Sequence, residues 1–140
     1  MIVVDASVAV KWFADEPHSA EAWQLLGDEK GEMVFPDVFV IEVAATLVRI
    51  ANVNKASRAD SHVSLLRLLD LIESGAITRL ETLPDQTIAA ASLALDLGHP
   101  LKDCIYLALA MELGCDLMTC DARFAAKAKE VWAGVRVLGA

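Results

Sequence analysis

Short runs of β-branched and apolar residues alternate along this chain with longer stretches of helical periodicity, and this alternation is the strongest constraint on its fold. Residues 2–4, 33–35, 77–80, 117–119 and 135–138 read as strands. Between them, residues 7–13, 19–26, 38–50 and 57–74 read as helices, the last closed by Gly75. Pro84 and Asp85 open a further helix that ends at Gly98, Asp103 opens one over residues 104–113 that ends at Gly114, and Asp121 opens a short one through Phe124. Strands separated by helices are joined by crossover connections, so the expected architecture is an α/β three-layer fold. It has a mainly parallel sheet of about five strands with helices on both faces. The helix at 38–50 is apolar on nearly every side and is expected to be largely buried, whereas that at 57–74 is expected to bury Val63, Leu66, Leu69 and Ile72.

The chain has 140 residues, 56% of them hydrophobic, with no internal repeat and no Pro/Ser/Gly-rich linker, so residues 1–140 are expected to form one domain. Apolar residues are dispersed, and Asp5 interrupts the N-terminal run, so neither a membrane span nor a signal peptide is expected. The three cysteines, Cys104, Cys115 and Cys120, contain no C-x-x-C pair, which disfavours a disulfide framework and a zinc knuckle and points to a reducing cytoplasm. A net charge of −8 argues against broad electrostatic capture of nucleic acid or anionic lipid. No Gly-rich phosphate loop is present, and His18, His62 and His99 lie far apart with no Ser or Cys elbow, which disfavours nucleotide cofactors and a nucleophilic triad. Trp12, Trp23 and Trp132 could stack on bases but fit core or interface anchoring as well.

In parallel α/β sheets the functional cleft lies at the carboxyl ends of the strands. Asp5 directly follows the first strand and Asp121 the fourth, while Asp103 opens a helix after a short loop, so all three are expected at one cleft. Each also precedes a helix, where an aspartate can act simply as an N-cap, an excuse shared by Asp37, Asp85 and Asp116. Glu42 is different, because the segment around it carries no other charge until Arg49. A buried carboxylate needs a cation or donors, either a salt bridge to a base such as Arg49 or a shared ion. Four carboxylates around one cleft repel one another and call for a divalent cation, and oxygen ligands without a convergent His or Cys favour Mg²⁺ or Mn²⁺ over zinc. Such a site suits phosphodiester hydrolysis. Lys11, Lys102, Arg123 and Lys127 are expected near its rim, as phosphate contacts or as ordinary surface charges.

Four segments together carry a resemblance. They are Ile2-Val3-Val4-Asp5-Ala6-Ser7; Pro36 followed by Val40-Ile41-Glu42-Val43; Asp103-Cys104-Ile105-Tyr106-Leu107-Ala108-Leu109-Ala110; and Leu117-Met118-Thr119-Cys120-Asp121-Ala122-Arg123-Phe124. In this order and at this length the chain resembles the PIN domain ribonucleases, specifically the VapC toxins of VapBC toxin–antitoxin modules. The resemblance implies a PIN-like fold and an acidic site of Asp5, Glu42, Asp103 and Asp121, with Asp5 and Asp103 foremost among the metal ligands and Ser7 and Thr119 orienting the acids. It further implies Mg²⁺-dependent endoribonuclease activity on structured or translation-related RNA, a homodimer, and silencing by a VapB-like antitoxin that wraps the toxin. The helices between residues 38 and 74 are candidate grooves for dimer or antitoxin. Two positions depart from the pattern: Ala45 stands where many relatives have Asn, and Lys102 where an aromatic residue is common. With the acidic net charge, Ala45 also admits an alternative, a catalytically degenerate PIN-like module that binds RNA or a partner protein without cutting.

Overall fold

The computed structural model describes residues 1–140. Five strands, β1 (Ile2–Val4), β2 (Met33–Pro36), β3 (Ile77–Leu80), β4 (Asp116–Thr119) and β5 (Val135–Val137), form one sheet in the order β3-β2-β1-β4-β5. Every pairing is parallel; Val3 lies between Val34 on one side and Leu117 on the other. The inner strands β1 and β2 are wholly buried, covered on both faces, whereas the edge strands β3 and β5 are partly exposed. The chain builds outward from β1 through β2 to β3, then returns to the other side of β1 with β4. The strand order therefore reverses between β1 and β4, and the crevice at their carboxyl ends is the switch point of the sheet.

The helices are α1 (Ala6–Val10), α2 (Ser19–Asp28), α3 (Val38–Val53), α4 (Arg58–Glu73), α5 (Pro84–Leu97), α6 (Leu101–Leu113) and α7 (Ala122–Ala128), which cover both faces of the sheet. The core is continuous across the layers: Phe35 stacks on Phe39 at 4.3 Å between ring centroids, and Tyr106, Leu107 and Phe124 are fully buried. No helix is long and apolar enough to cross a membrane. Trp12 and Trp132 are anchors, their indole N–H groups donating to the carbonyls of Ala22 and Cys115, and Trp23 is exposed.

Several local expectations are corrected. The first helix ends at Val10 rather than at residue 13, and the segment through Phe13 is a turn. The helix opened by Asp121 runs on to Ala128, and the last strand stops at Val137. Asp103 does not open its helix: α6 starts two residues earlier, after Pro100, whose fixed φ suits a helix entry. The close succession of α5, ended by Gly98 in the left-handed region at φ 60°, and α6 leaves only His99 and Pro100 as link.

Nor is α3 largely buried. It packs mainly between α1 and α4 and meets the sheet through Phe39, so only the stripe Phe39, Val43, Leu47 is fully covered, and Ile41 is 70% exposed. On α4 the buried stripe is Ser61, Ser64 and Leu68, whereas Val63, Leu66 and Leu69 face outward.

Candidate active site

Asp5 continues β1 by one residue, its N–H donating to the Met118 carbonyl at 3.0 Å, and its extended backbone leaves the side chain at the switch point. It sits at the cap position of α1 but does not cap with its side chain. Instead Oδ2 accepts two hydroxyl hydrogen bonds, from Ser7 Oγ at 2.9 Å and from Thr119 Oγ1 at 2.7 Å. Each hydroxyl is fixed in turn by a backbone donor: Cys120 N–H donates to Ser7 Oγ, and Asp121 N–H to Thr119 Oγ1. A hydroxyl has a single proton, so these acceptor bonds commit both protons to Asp5. The ends of β1 and β4 are thereby tied together through one carboxylate oxygen, and Oδ1 has no protein donor. Asp5 is 3% exposed. Burial raises its pKa, the Thr119 and Ser7 bonds oppose that, and the charge of Asp103 adds to it, with a net upward shift.

Asp103 is the third residue of α6. Its Oδ2 accepts from His99 Nε2 at 2.6 Å, which requires the proton on that nitrogen. The His99 side chain is 9% exposed and stacks on Phe124 at 4.8 Å, so its ring is held and Asp103, 25% exposed, is aimed by it. Asp121 does cap a helix, its Oδ1 accepting from Phe124 N–H at 2.9 Å, so there the capping reading describes one oxygen and leaves the other open. Ligand atoms of His99, Asp103 and Asp121 all lie within 4.8 Å of one another. The expectation that no histidine converges on the acids is thus corrected: His99 joins them, its Nε2 orienting Asp103 rather than offering a lone pair.

Glu42 faces them from α3. The salt bridge to Arg49 does not form, and Oε1 is buried with no hydrogen-bond partner. Burial first, then the charges of Asp5 and Asp103, raise its pKa to about 7 against the pull of Lys102 and Tyr106. Tyr106 is itself fully buried, and its hydroxyl lacks a hydrogen bond of good geometry.

All four acids line one open cleft of about 440 Å³ together with Ser7, Lys11, Arg49 and Lys102. Of the expected basic contacts, Lys102 reaches this cleft without an ion pair, but Lys11 is engaged by Glu16 at 3.1 Å and by the Pro17 carbonyl. Lys127 donates to the Gly98 carbonyl at 3.0 Å, and Arg123 is exposed and does not line the cleft. Arg49 lines it instead. Sequence reasoning missed His99 because it lies in the α5–α6 link, where side-chain direction follows no periodicity; its closeness in sequence to Asp103 was the available signal. Asp37, another candidate cap, holds Arg79 at 2.6 Å and Thr82 N–H at 2.9 Å away from the cleft.

A doubly wound parallel sheet with clustered carboxylates at its switch point defines an α/β domain of the kind that binds its ligand across the strand ends. The sequence profile of the PIN domain matches residues 2–130, and the chain belongs to that family. Its fold resembles that of VapC-type toxin–antitoxin ribonucleases. Among solved structures it is similar to PAE2754 from Pyrobaculum aerophilum, with a TM-score of 0.74 and 19% identity over 98% of this chain and 88% of that one. It is similar to a chain of a toxin–antitoxin complex from Klebsiella pneumoniae, with a TM-score of 0.70 and 16% identity over 98% and 97%. It is also similar to VapC20 of Mycobacterium tuberculosis, a sarcin–ricin loop cleaving toxin, with a TM-score of 0.72 and 14% identity over 90% and 94%. A search of curated protein sequences gave no significant match.

Proposed function

We propose that this chain is a metal-dependent endoribonuclease, the toxin of a toxin–antitoxin module, hydrolysing RNA phosphodiester bonds in the cytoplasm. The observation that carries this reading is the convergence of Asp5, Glu42, Asp103 and Asp121 on one cleft, with a buried Glu42 oxygen that no protein donor satisfies. Unit charges about 4 Å apart repel by roughly 4 kcal/mol at an effective dielectric near 20, so the cluster favours either protonation or a cation. The donor set fits Mg²⁺, with Mn²⁺ as substitute: Asp5 Oδ1, the open oxygen of Asp121, Asp103 and Glu42 would hold it. When bound, such an ion supplies Lewis-acid chemistry, offsetting charge on the phosphate and on the leaving 3′ oxygen and making water a better nucleophile.

The residues divide the remaining work. Ser7 and Thr119 fix the Asp5 carboxylate in one orientation, and His99, clamped on Phe124, does the same for Asp103. Burial and the charges of Asp5 and Asp103 raise the Glu42 pKa to about 7, so near neutral pH this carboxyl can carry a proton that offsets the repulsion among the acids. Lys102 and Arg49 offer positive charge to the phosphates that flank the scissile bond.

The solved relatives described as a toxin–antitoxin complex and as a toxin that cleaves an RNA loop support the same class. The outward apolar side chains Ile41, Val48, Leu66 and Leu69 on α3 and α4 support a homodimer or a VapB-like antitoxin covering that hairpin. The test is incubation of antitoxin-free protein with total cellular RNA in Mg²⁺ or Mn²⁺, beside EDTA and an Asp5→Asn variant, with new 5′ ends mapped. Discrete cuts that need both the metal and Asp5 are expected. RNA binding without cutting would instead establish the noncatalytic module.

A further inference from the structure

Two stretches of this acidic chain carry bases and no acid: residues 122–129, with Arg123, Lys127 and Lys129, and a longer one on α3 and beyond. Residues 43–59 contain Arg49, Lys55 and Arg58 and no acid at all. The fold gathers the end of this stretch around a pocket of about 650 Å³ between the last turns of α3 and the first turns of α4, where Asn52, Lys55, Arg58 and His62 rim an apolar floor that includes Val48 and Leu65. No carboxylate lines it, whereas the acidic cleft and two other cavities of about 370 to 410 Å³ each carry at least two. Arg49, Lys55 and Arg58 are exposed, and none enters an ion pair.

Bases left unpaired in a chain of net charge −8 are free to take an anion, and the position of this pocket says which kind. The same helix serves both sites: Glu42, Ala45 and Arg49 line the acidic cleft, and Val48 and Asn52 line the basic pocket, with Lys55 just past the helix end. From Glu42 to Asn52 the helix advances about 15 Å, a distance that a few nucleotides of RNA can span. We propose that this pocket is a phosphate-binding site for the RNA backbone, holding the strand away from the scissile bond, with Arg49 as the link between pocket and cleft. Arg and Lys contacts of this kind position a strand without reading its sequence.

The inference rests on the reading of the cleft as a site that cleaves RNA. Its test measures binding instead, by fluorescence anisotropy of a labelled single-stranded RNA of about 12 nucleotides in Mg²⁺, between about 50 and about 200 mM salt. An Asp5→Asn background keeps the RNA whole, and a gel verifies that it is. Lys55→Gln/Arg58→Gln is compared with Lys129→Gln/Arg136→Gln, which removes the same charge beside β5. The first pair is expected to weaken binding about tenfold or more at the lowest salt and to flatten the log–log salt slope by about 1.4, the second to leave the slope unchanged. Should the double variant melt early, Lys55→Gln alone carries the test with a slope change of about 0.7. A slope indifferent to Lys55 and Arg58, an equal loss in the β5 pair, no RNA binding at all, or equal competition by polyglutamate would overturn the proposal. The two readings fail separately: absent cleavage by protein with Asp5 intact, alongside binding that depends on Lys55 and Arg58, defeats only the nuclease. Cleavage alongside binding indifferent to the pair defeats only the pocket.

Discussion

On the sheet side of the acidic cleft each carboxylate has one oxygen held by a protein donor, whereas across the cleft, on α3, Glu42 has a buried oxygen held by none. The held wall comes from β1, α6 and the end of β4, elements joined through the sheet and through hydroxyl and imidazole bridges. The opposite wall comes from a helix that packs on α1 and α4. The difference separates two jobs. The first wall sets geometry in advance; the second stores an unfavourable interaction that an entering cation would relieve.

The largest expected effect comes from removing charge on the held wall while keeping its shape. Asp5→Asn retains an oxygen for the Ser7 and Thr119 hydroxyls, so the fold should survive, and Mn²⁺-dependent RNA cleavage should fall by more than about 100-fold in initial-rate assays. His99→Ala should rank next. If His99 acts through Asp103, it lowers Mn²⁺ affinity by about 10- to 100-fold in calorimetry, and in an Asp103→Asn background it adds little, since the two act as one unit.

Thr119→Val leaves Asp121 N–H without its acceptor and Asp5 with one hydroxyl donor fewer. It should cost about 1–3 kcal/mol of stability in denaturant unfolding, and a loss confined to activity would show that the bridge is not structural.

The unheld wall predicts the opposite sign. Glu42 binds its proton more tightly in the folded chain, at about 7, than at its ordinary value of 4.5. Between those values the folded state carries more protons, so metal-free protein should lose stability as pH rises through that window, with Asp5 contributing in the same direction. Glu42→Gln should flatten this dependence and raise stability at pH about 8 by roughly 1–2 kcal/mol, a figure discounted for the water that reaches the open side of the cleft. Thermal melts from pH about 5 to about 8 check this, and a Gln variant less stable throughout would contradict it.

Much of this arrangement was legible in the sequence, for physical reasons that also explain the exceptions. The β-branched run at Ile2–Val4 marks a strand because the central strand of a parallel sheet is buried on both faces, and the rule of strand ends then selects Asp5 and Asp121. Glu42 stood out because nothing charged surrounds it in the chain. The buried face of α4 was not legible, because apolar residues occupy more than one stripe and only the neighbouring α3 decides that Ser61, Ser64 and Leu68 turn inward. His99 escaped because it sits in the α5–α6 link, where no periodicity tells which way a side chain turns, and Arg123 was misplaced because closeness to Asp121 in sequence does not bring it into the cleft.

Calorimetric titration of Mn²⁺ into wild-type, Asp5→Asn and Glu42→Gln protein at pH about 7, in buffers of different ionisation enthalpy, tests the central claim most directly. Saturable binding by wild type with proton release, lost in Asp5→Asn, and proton-silent in Glu42→Gln, is the predicted result. Binding that is absent from wild type, or that persists unchanged without the Asp5 charge, would contradict it.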